Sequence, residues 1–290
     1  MSTLAALLQA MRLKQWSKNF FVFAGLIFSG QIANRDAVIT SVEAFICFCL
    51  VSSSIYLIND VADIKRDRQH PKKRNRPIAS GRLPISTAIA AFIALAIIGS
   101  GFSFYIEPTF GFICFGYWLL MVFYTFVLKH EVILDVFVIA AGFVLRALGG
   151  AVAISVPISS WLIVCTSLLS LFLALCKRRA EITSLDNGGA DHREALKEYS
   201  EEYIDQMISV VTSATVVSYT LYAFQSDTAK DQDSLILTVP FVLYGIFRYL
   251  YLVYKKEQGG SPEQMILEDK PLFLNMLLWA ALSALLLWRP

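Results

Sequence analysis

Long apolar runs constrain this chain more than any other feature of its sequence. Several of them reach the roughly 17–25 residues that a helix needs to cross a bilayer. Hydrophobic residues make up 56% and charged residues 17% of the 290 residues. A soluble domain has about 45–50% apolar and about 25% charged residues. We therefore predict an all-α, polytopic membrane protein.

Nine apolar segments are predicted to cross the membrane, within a single membrane domain that covers residues 1–290. They lie at residues 19–33, 36–58, 86–105, 108–128, 132–153, 160–176, 204–225, 234–254 and 271–288. With a cytoplasmic N-terminus, most Lys and Arg residues fall in cytoplasmic segments, and only Arg35, Lys230 and Arg289 fall in outside segments. This bias predicts that the N-terminus lies inside and the C-terminus outside.

Residues 59–82 combine an acidic stripe with a basic run, directly after an apolar segment. Asp60, Asp63 and Asp67 are spaced i, i+3 and i+7, so they share one helix face, and Asn59 stands at its head. Such carboxylates can hold Mg²⁺, and Mg²⁺ can hold a diphosphate. The alternative is an ordinary solvated, positive-inside loop. Three acids on one face at a membrane boundary are costly unless a cation or a basic group compensates them, which weakens the plain-loop alternative.

A second charged pattern lies in the fifth predicted span. Glu131 and Asp135 are spaced i, i+4 on one helix face. Arg146 follows Asp135 at nearly the same azimuth, about 16 Å further along the axis. Gly142 lies on the same stripe, and small residues there allow close helix packing. Ionisable groups inside a span are candidates for a functional site, and the alternative is a structural Asp–Arg pair with another helix.

Two further basic segments fall on the same side of the membrane. Lys177 and Glu181 are spaced i, i+4 at the cytoplasmic end of the sixth span, where a plain helix-end cluster is the alternative. Lys14 and Lys18 flank Trp16 in a segment that either anchors the chain in the interface or reaches into a cavity. We predict that the acidic ends of the second and fifth spans face each other across that cavity, with Mg²⁺ bridging them to a diphosphate.

Other chemistries find no support in the sequence. All five cysteines lie in predicted spans and all three histidines in predicted loops, without a metal-ligand or Ser-His-acid pattern. There is no P-loop or GxGxxG motif. No compact basic domain with interleaved aromatic residues is present, so we expect no nucleic-acid partner.

These residues resemble the UbiA superfamily of intramembrane prenyltransferases. Asn59-Asp60-x-x-Asp63-x-x-x-Asp67 matches the family's first aspartate-rich motif. Glu131 and Asp135 stand where its second motif usually has two aspartates, and Tyr124-x-x-x-Leu128-Lys129 is similar to its tyrosine–lysine motif. The resemblance implies nine transmembrane helices around a central cavity that opens to the cytoplasmic side.

The resemblance narrows to the decaprenyl-phosphate phosphoribosyltransferase branch. It is carried by Leu13–Asn19, Asp67–Gly81, Gly142–Gly150 and Lys177–Glu181. It implies transfer of 5-phosphoribose from phosphoribosyl diphosphate to a polyprenyl phosphate, giving a lipid-linked precursor of cell-wall arabinan. It also implies Mg²⁺ as cofactor, and the inner (plasma) membrane of a bacterium with the active site facing the cytoplasm.

The candidate site residues follow from these motifs. The catalytic candidates are Asp60, Asp63, Asp67 and Asp135, and the metal candidates are Asn59, Asp60, Asp63 and Asp67. The substrate-binding candidates are Lys14, Lys18, Asn59, Lys73, Arg74, Arg76, Tyr124, Lys129, Glu131, Arg146, Lys177 and Glu181. Phosphoribosyl diphosphate carries phosphate at both ends of its sugar, so a basic group must hold the 5-phosphate, and Lys73, Arg74, Arg76, Arg146 and Lys177 are the candidates.

Two other functions stay open at this point. An aromatic prenyltransferase of the same superfamily would use a prenyl diphosphate, and a transporter would also have many spans with charged residues inside them. The oligomeric state, including a homo-oligomer, is not determined by the sequence.

Overall fold

Helices make up the regular structure of this computed structural model, which describes residues 2–71, 73–186, 198–225, 233–256, 259–260 and 262–287. The α-helices are α1 (Thr3–Ala10), α2 (Ala24–Phe28), α3 (Arg35–Ala62), α4 (Ile64–Gln69), α5 (Ile85–Ile106), α6 (Pro108–Phe126), α7 (Leu134–Ala153), α8 (Ser160–Asp186), α9 (Glu201–Gln225), α10 (Val239–Lys255), α11 (Pro262–Glu268) and α12 (Lys270–Leu286). Short 3₁₀ segments lie at Leu13–Phe23, Gln31–Ala33, Lys73–Asn75, Leu128–His130 and Asp233–Thr238. The all-α prediction is confirmed.

Among these residues, seven helices are long and apolar enough to cross a membrane: α3, α5, α6, α7, α8, α9, and α10 with the 3₁₀ turn before it. The chain is therefore an integral membrane protein. The predicted count of nine spans is not confirmed. Helix α12 is apolar but has only 17 residues, or about 25 Å at 1.5 Å per residue. The first predicted span, residues 19–33, is not one continuous helix.

The region around residues 13–33 differs most from its prediction. The chain runs through the 3₁₀ segment Leu13–Phe23 and the short α2, and then turns at Gly30, where φ is +72°. The segment packs against α3 and α7, and its Asn19 is fully buried. Trp16 Nε1 donates to Ser53 Oγ on α3 at 3.0 Å, so its indole ring is bonded to the helix bundle. The side chains of Trp16 and Asn19 have hydrogen-bond partners on α3, which explains why this segment does not form the predicted continuous helix.

Polar caps and prolines set several helix boundaries. Asn34 Oδ1 accepts from the backbone N–H groups of Asp36 and Ala37 at the start of α3. Glu107 separates α5 from α6, and its carboxylate accepts from Phe110 N at 2.5 Å, with Pro108 in the first turn. Both patterns satisfy N–H groups that have no partner within the helix.

Helix α7 lies between the two largest apolar clusters. One cluster joins α8, α9 and α10, and the other joins α3 and α6. The 3₁₀ segment and α2 cover a further face of α7, where the approach is close. A Cβ built at Gly150 would lie 1.8 Å from the carbonyl oxygen of Val22. The glycines of α7 thus allow close packing, as the sequence predicts.

We expect Gly150→Ala to lower the free energy of unfolding by about 1–3 kcal/mol or more, because the new methyl group must displace backbone atoms. Gly116→Ala on α6 is the control, since a Cβ there meets no atom within 4 Å. Alanine also favours a helix by roughly 1 kcal/mol over glycine. Thermal unfolding midpoints in one detergent compare the two variants. A Gly150→Ala midpoint at or above that of Gly116→Ala would contradict the packing argument.

Candidate active site

The acidic stripe lies where α3 ends and α4 begins. Asp63 separates the two helices, but the backbone stays nearly helical across it. Asp63 N donates to Asn59 O at 3.0 Å, and Asp67 N donates to Asp63 O at 2.8 Å. Because of this continuity, the i, i+3 and i+7 spacing of the three aspartates is counted along one nearly helical segment. Asp60 and Asp67 are buried, with 2% and 3% of their surface exposed.

Asp60 and Asp67 converge on a single cationic nitrogen. Arg76 Nη1 lies 3.1 Å from Asp60 Oδ1 and 2.6 Å from Asp67 Oδ2. Arg12, at the break between α1 and the 3₁₀ segment, also donates to Asp60 Oδ1. Buried charges of this kind are tolerated only when they are paired. The two carboxylates are thus arranged around one positive centre and held there by basic groups from two other segments.

Asp63 contacts a different cation. Lys129 Nζ lies 2.7 Å from Asp63 Oδ1, and Lys129 is 4% exposed. Lys129 belongs to the 3₁₀ turn Leu128–His130, which comes just before α7. The contact therefore joins the acidic stripe to the segment that leads into the second acidic motif.

Asp135 itself pairs with α8. Its Oδ2 accepts from Arg178 Nε at 2.6 Å, and its Oδ1 accepts from the Tyr199 hydroxyl at 3.0 Å. Arg178 also binds Glu181 one turn further along α8. Asp135 is 1% exposed and Arg178 is 1% exposed. The direct partners of Asp135 are thus on α8 and before α9, so the Asp–Arg pair that the sequence left as an alternative is present.

Tyr199 lies just before α9, outside the membrane-spanning segments. Burial raises the pKa of Tyr199, and the negative charge of Asp135 raises it further. The hydroxyl therefore stays protonated at neutral pH and can donate to the carboxylate.

Arg146 sits in a cage of neutral groups. Its guanidinium donates to Asn19 Oδ1 at 2.7 Å, Gly142 O at 2.8 Å and Tyr117 OH at 2.6 Å. Its Cζ lies 4.6 Å from the centroid of the Tyr117 ring. No carboxylate among the described residues lies within ion-pair distance of Arg146. Arg146 is therefore not part of a structural Asp–Arg pair, in contrast to Asp135. Three of its five N–H donors are used by these contacts.

The remaining predicted residues vary in exposure. Lys14, Arg74 and Glu131 are exposed, Tyr124 is buried, and Lys18, Asn59, Lys73, Lys177 and Glu181 lie between these extremes. Within the described ranges, no three acidic, histidine or cysteine side chains are grouped closely enough to hold a metal ion alone. The structure thus brings together Asp60 with Asp67, Asp63 with Lys129, and Asp135 with Arg178, but it does not gather Asn59, Asp60, Asp63 and Asp67 around one point.

Three residues of these clusters were not among the sequence candidates. Two of them could have been found from the sequence, since Arg178 lies within the segment Lys177–Glu181 and Arg12 directly precedes the segment Leu13–Asn19. Tyr199 carried no such signal, because a tyrosine in a polar stretch has no pattern that predicts a buried partner. All three contact the aspartates of the two acidic motifs.

Comparison with known sequences places the chain among relatives of one family. The UbiA prenyltransferase family profile matches residues 19–279. The decaprenyl-phosphate phosphoribosyltransferase of Corynebacterium glutamicum is 36% identical, over 94% of this chain and 84% of that protein. The enzyme of the same name from Mycolicibacterium smegmatis is 34% identical, over 95% of this chain and 90% of that protein.

Solved structures share the fold. A UbiA homolog from Archaeoglobus fulgidus bound to GPP and Mg²⁺ gives a TM-score of 0.74 at 15% identity, covering 98% of this chain and 99% of that one. A digeranylgeranylglyceryl phosphate synthase structure gives a TM-score of 0.69 at 18% identity, with 99% of both chains covered. At such low identity the likeness concerns the helix arrangement alone.

Proposed function

Because the chain belongs to the UbiA prenyltransferase family, we propose that it transfers 5-phosphoribose from phosphoribosyl diphosphate to a polyprenyl phosphate. The products are polyprenyl-phosphoryl 5-phosphoribose and diphosphate. Two relatives that carry the name decaprenyl-phosphate phosphoribosyltransferase, each aligned over more than nine-tenths of this chain, support this reaction.

The convergence of Asp60 and Asp67 on Arg76 Nη1 is the observation that carries the proposal. Mg²⁺ is usually bound by one or two carboxylates together with substrate phosphates and water. Two buried carboxylates directed at one positive centre therefore fit Mg²⁺ as the cofactor. Asn59 and Asp63 remain the other predicted ligands of the ion. When bound, Mg²⁺ would neutralise the charge of the departing diphosphate.

The reaction needs little acid–base help from the protein. An oxygen of the lipid phosphate forms a bond to the anomeric carbon of the ribose, while the bond from that carbon to the diphosphate breaks. The diphosphate leaves with the electron pair. The lipid phosphate is already an anion at neutral pH, so positioning and charge stabilisation matter more than a general base. Arg12, Arg76 and Lys129 supply positive charge beside the aspartates.

The 5-phosphate requires a separate basic group. Lys73 and Arg74 lie three and two positions before Arg76, on the 3₁₀ turn Lys73–Asn75, so their position favours them. Arg146 is placed about 16 Å along α7 from Asp135 by helix geometry. Lys14, Lys18, Tyr124, Glu131, Lys177 and Glu181 remain predicted substrate contacts. Lys73 and Arg74 are therefore the first residues to substitute for this role.

The charge distribution and the relatives of the chain support the setting of this reaction. The Lys and Arg bias supports an active site that faces the cytoplasm. The bacterial relatives support the inner membrane of a bacterium, and the family resemblance implies one membrane domain around a central cavity. A donor that is soluble in the cytoplasm and an acceptor that is held in the membrane meet at such a site. The lipid-linked pentose would then serve the synthesis of cell-wall arabinan.

A donor screen tests the proposal. Purified protein in detergent is given Mg²⁺, a short polyprenyl phosphate, and either phosphoribosyl diphosphate or a prenyl diphosphate with an aromatic acceptor. We expect the lipid to gain the mass of one phosphoribosyl group and diphosphate to be released. EDTA is expected to stop both. Turnover of the prenyl diphosphate alone would favour an aromatic prenyltransferase, and transport without turnover would favour a transporter.

A further inference from the structure

The turn that begins α7 is strained. Ile133 has φ +69° and ψ −48°, and Leu134 N donates to Val132 O at 2.8 Å. Together these values describe a γ-turn with positive φ, which is rare and strained. A β-branched residue in this conformation is a backbone outlier. Strain of this kind persists only where the surroundings hold it in place, and it tends to occur at functional sites.

One hydroxyl group holds this turn to the nearby carboxylate. Ile133 N donates to Tyr199 OH at 2.6 Å, and Tyr199 OH donates to Asp135 Oδ1 at 3.0 Å. Tyr199 is 5% exposed, so water does not readily replace it. The strained residue and the carboxylate are only two positions apart. The Tyr199 hydroxyl therefore fixes both the backbone before α7 and the direction of the Asp135 side chain.

Arg178 completes the arrangement from the other side. Its Nε binds Asp135 Oδ2, while Tyr199 binds Oδ1, so each carboxylate oxygen has its own donor. Arg178 compensates the charge of Asp135. Tyr199 carries no charge, and its separate contribution is the link to the Ile133 N–H. The orientation of the carboxylate depends on both donors, but the turn depends on Tyr199.

We infer that Tyr199 is a positioning residue, which acts through Asp135 by holding the strained turn at Ile133. This inference rests on the proposed function, in which Asp135 is a catalytic carboxylate. Tyr199 lies two residues before α9, so a residue outside α7 contributes to the geometry at the start of α7. The hydroxyl is the essential group, since the phenyl ring alone can fill the same space.

Tyr199→Phe is expected to lower kcat by about 10- to 100-fold with little change in KM, as expected for loss of a hydrogen bond to a charged group. Tyr203→Phe is the matched control, since Tyr203 stacks beside Tyr199 with ring centroids 6.3 Å apart and is exposed. It should keep wild-type activity. In an Asp135→Asn background, Tyr199→Phe should cause no further loss, because it acts through that carboxylate. A full additional loss there would overturn the inference.

Hydrogen exchange gives a readout that does not depend on turnover. We expect the peptide covering residues 131–136 to exchange faster in Tyr199→Phe than in the wild type, and to be unchanged in Tyr203→Phe. Unchanged exchange, or unchanged kcat, in Tyr199→Phe would overturn the inference while leaving the proposed function standing. A wild-type protein that does not consume phosphoribosyl diphosphate would reject the proposed function, and the exchange rates would still decide whether Tyr199 holds the turn.

Discussion

Asp63→Asn is expected to lower kcat for Mg²⁺-dependent phosphoribosyl transfer by about 10²- to 10³-fold, the loss typical when one electrostatic contact to developing charge is removed. Asparagine keeps the size of the side chain and an oxygen that can accept from Lys129 Nζ, now 2.7 Å from Asp63 Oδ1. It removes only the negative charge. Alanine would be a poorer choice, because it would leave the buried Lys129 without its partner and confuse a loss of activity with a loss of stability.

The control for this substitution lies on the same helix. Asp36 is exposed in the first turn of α3, at the opposite end from Asp63. Asp36→Asn makes the same chemical change away from the site and should keep wild-type turnover. Initial rates across a range of Mg²⁺ concentrations, with equal amounts of folded protein, compare the two variants. Near-normal turnover in Asp63→Asn would remove this carboxylate from the proposed site.

Features that depend on residues close together in the sequence could be predicted from the sequence. Apolar runs of membrane-spanning length indicated the helices α3 and α5 to α10, because bilayer thickness fixes helix length. The spacing of the three aspartates near residue 60 indicated a shared face, and in the structure Asp60 and Asp67 meet at Arg76, while Asp63 contacts Lys129. The close approach at Gly150 was also expected, since small residues allow backbones to meet.

Features that depend on distant partners could not be predicted in this way. Asp135 and Arg178 are 43 positions apart, and Asp135 and Tyr199 are 64 apart, so no local period connects them. The 3₁₀ path of Leu13–Phe23 depends on where Asn19 and Trp16 find partners on α3. Hydropathy alone treats that stretch as the start of one apolar helix. The same limit applies to Asp63, whose partner Lys129 comes from another segment 66 positions away.

Neighbouring arginines on α8 allow a second large effect to be tested. Arg178→Ala is expected to lower the free energy of unfolding by about 3–5 kcal/mol, because it leaves the buried charge of Asp135 without its cation. Arg178 is 1% exposed and is bonded to both Asp135 and Glu181. Thermal unfolding in detergent, followed by tryptophan fluorescence, measures the change.

Arg179→Ala is the matched control for this loss. Arg179 lies next to Arg178, but the side chains of its ion-pair partners Glu201 and Asp205 are 34% and 37% exposed. Pairs of this kind contribute about 0–1 kcal/mol, because solvent screens them. Equal losses of unfolding free energy in the two alanine variants would show that the burial of the Asp135–Arg178 pair does not determine how much it stabilises the protein.

Removing the charge of the Asp135 carboxylate distinguishes two contributions of Arg178 to stability, its ion pair and the packing of its side chain. If Arg178 stabilises the protein by compensating Asp135, then adding Asp135→Asn to Arg178→Ala should recover a large part of the loss, since no unpaired charge remains. The amide keeps the shape of the carboxylate and can still accept from Tyr199 OH. A double-mutant cycle gives the coupling between the two residues directly. If instead the two losses simply add, Arg178 contributes through the packing of its long side chain, and the charge of Asp135 must be compensated by another group.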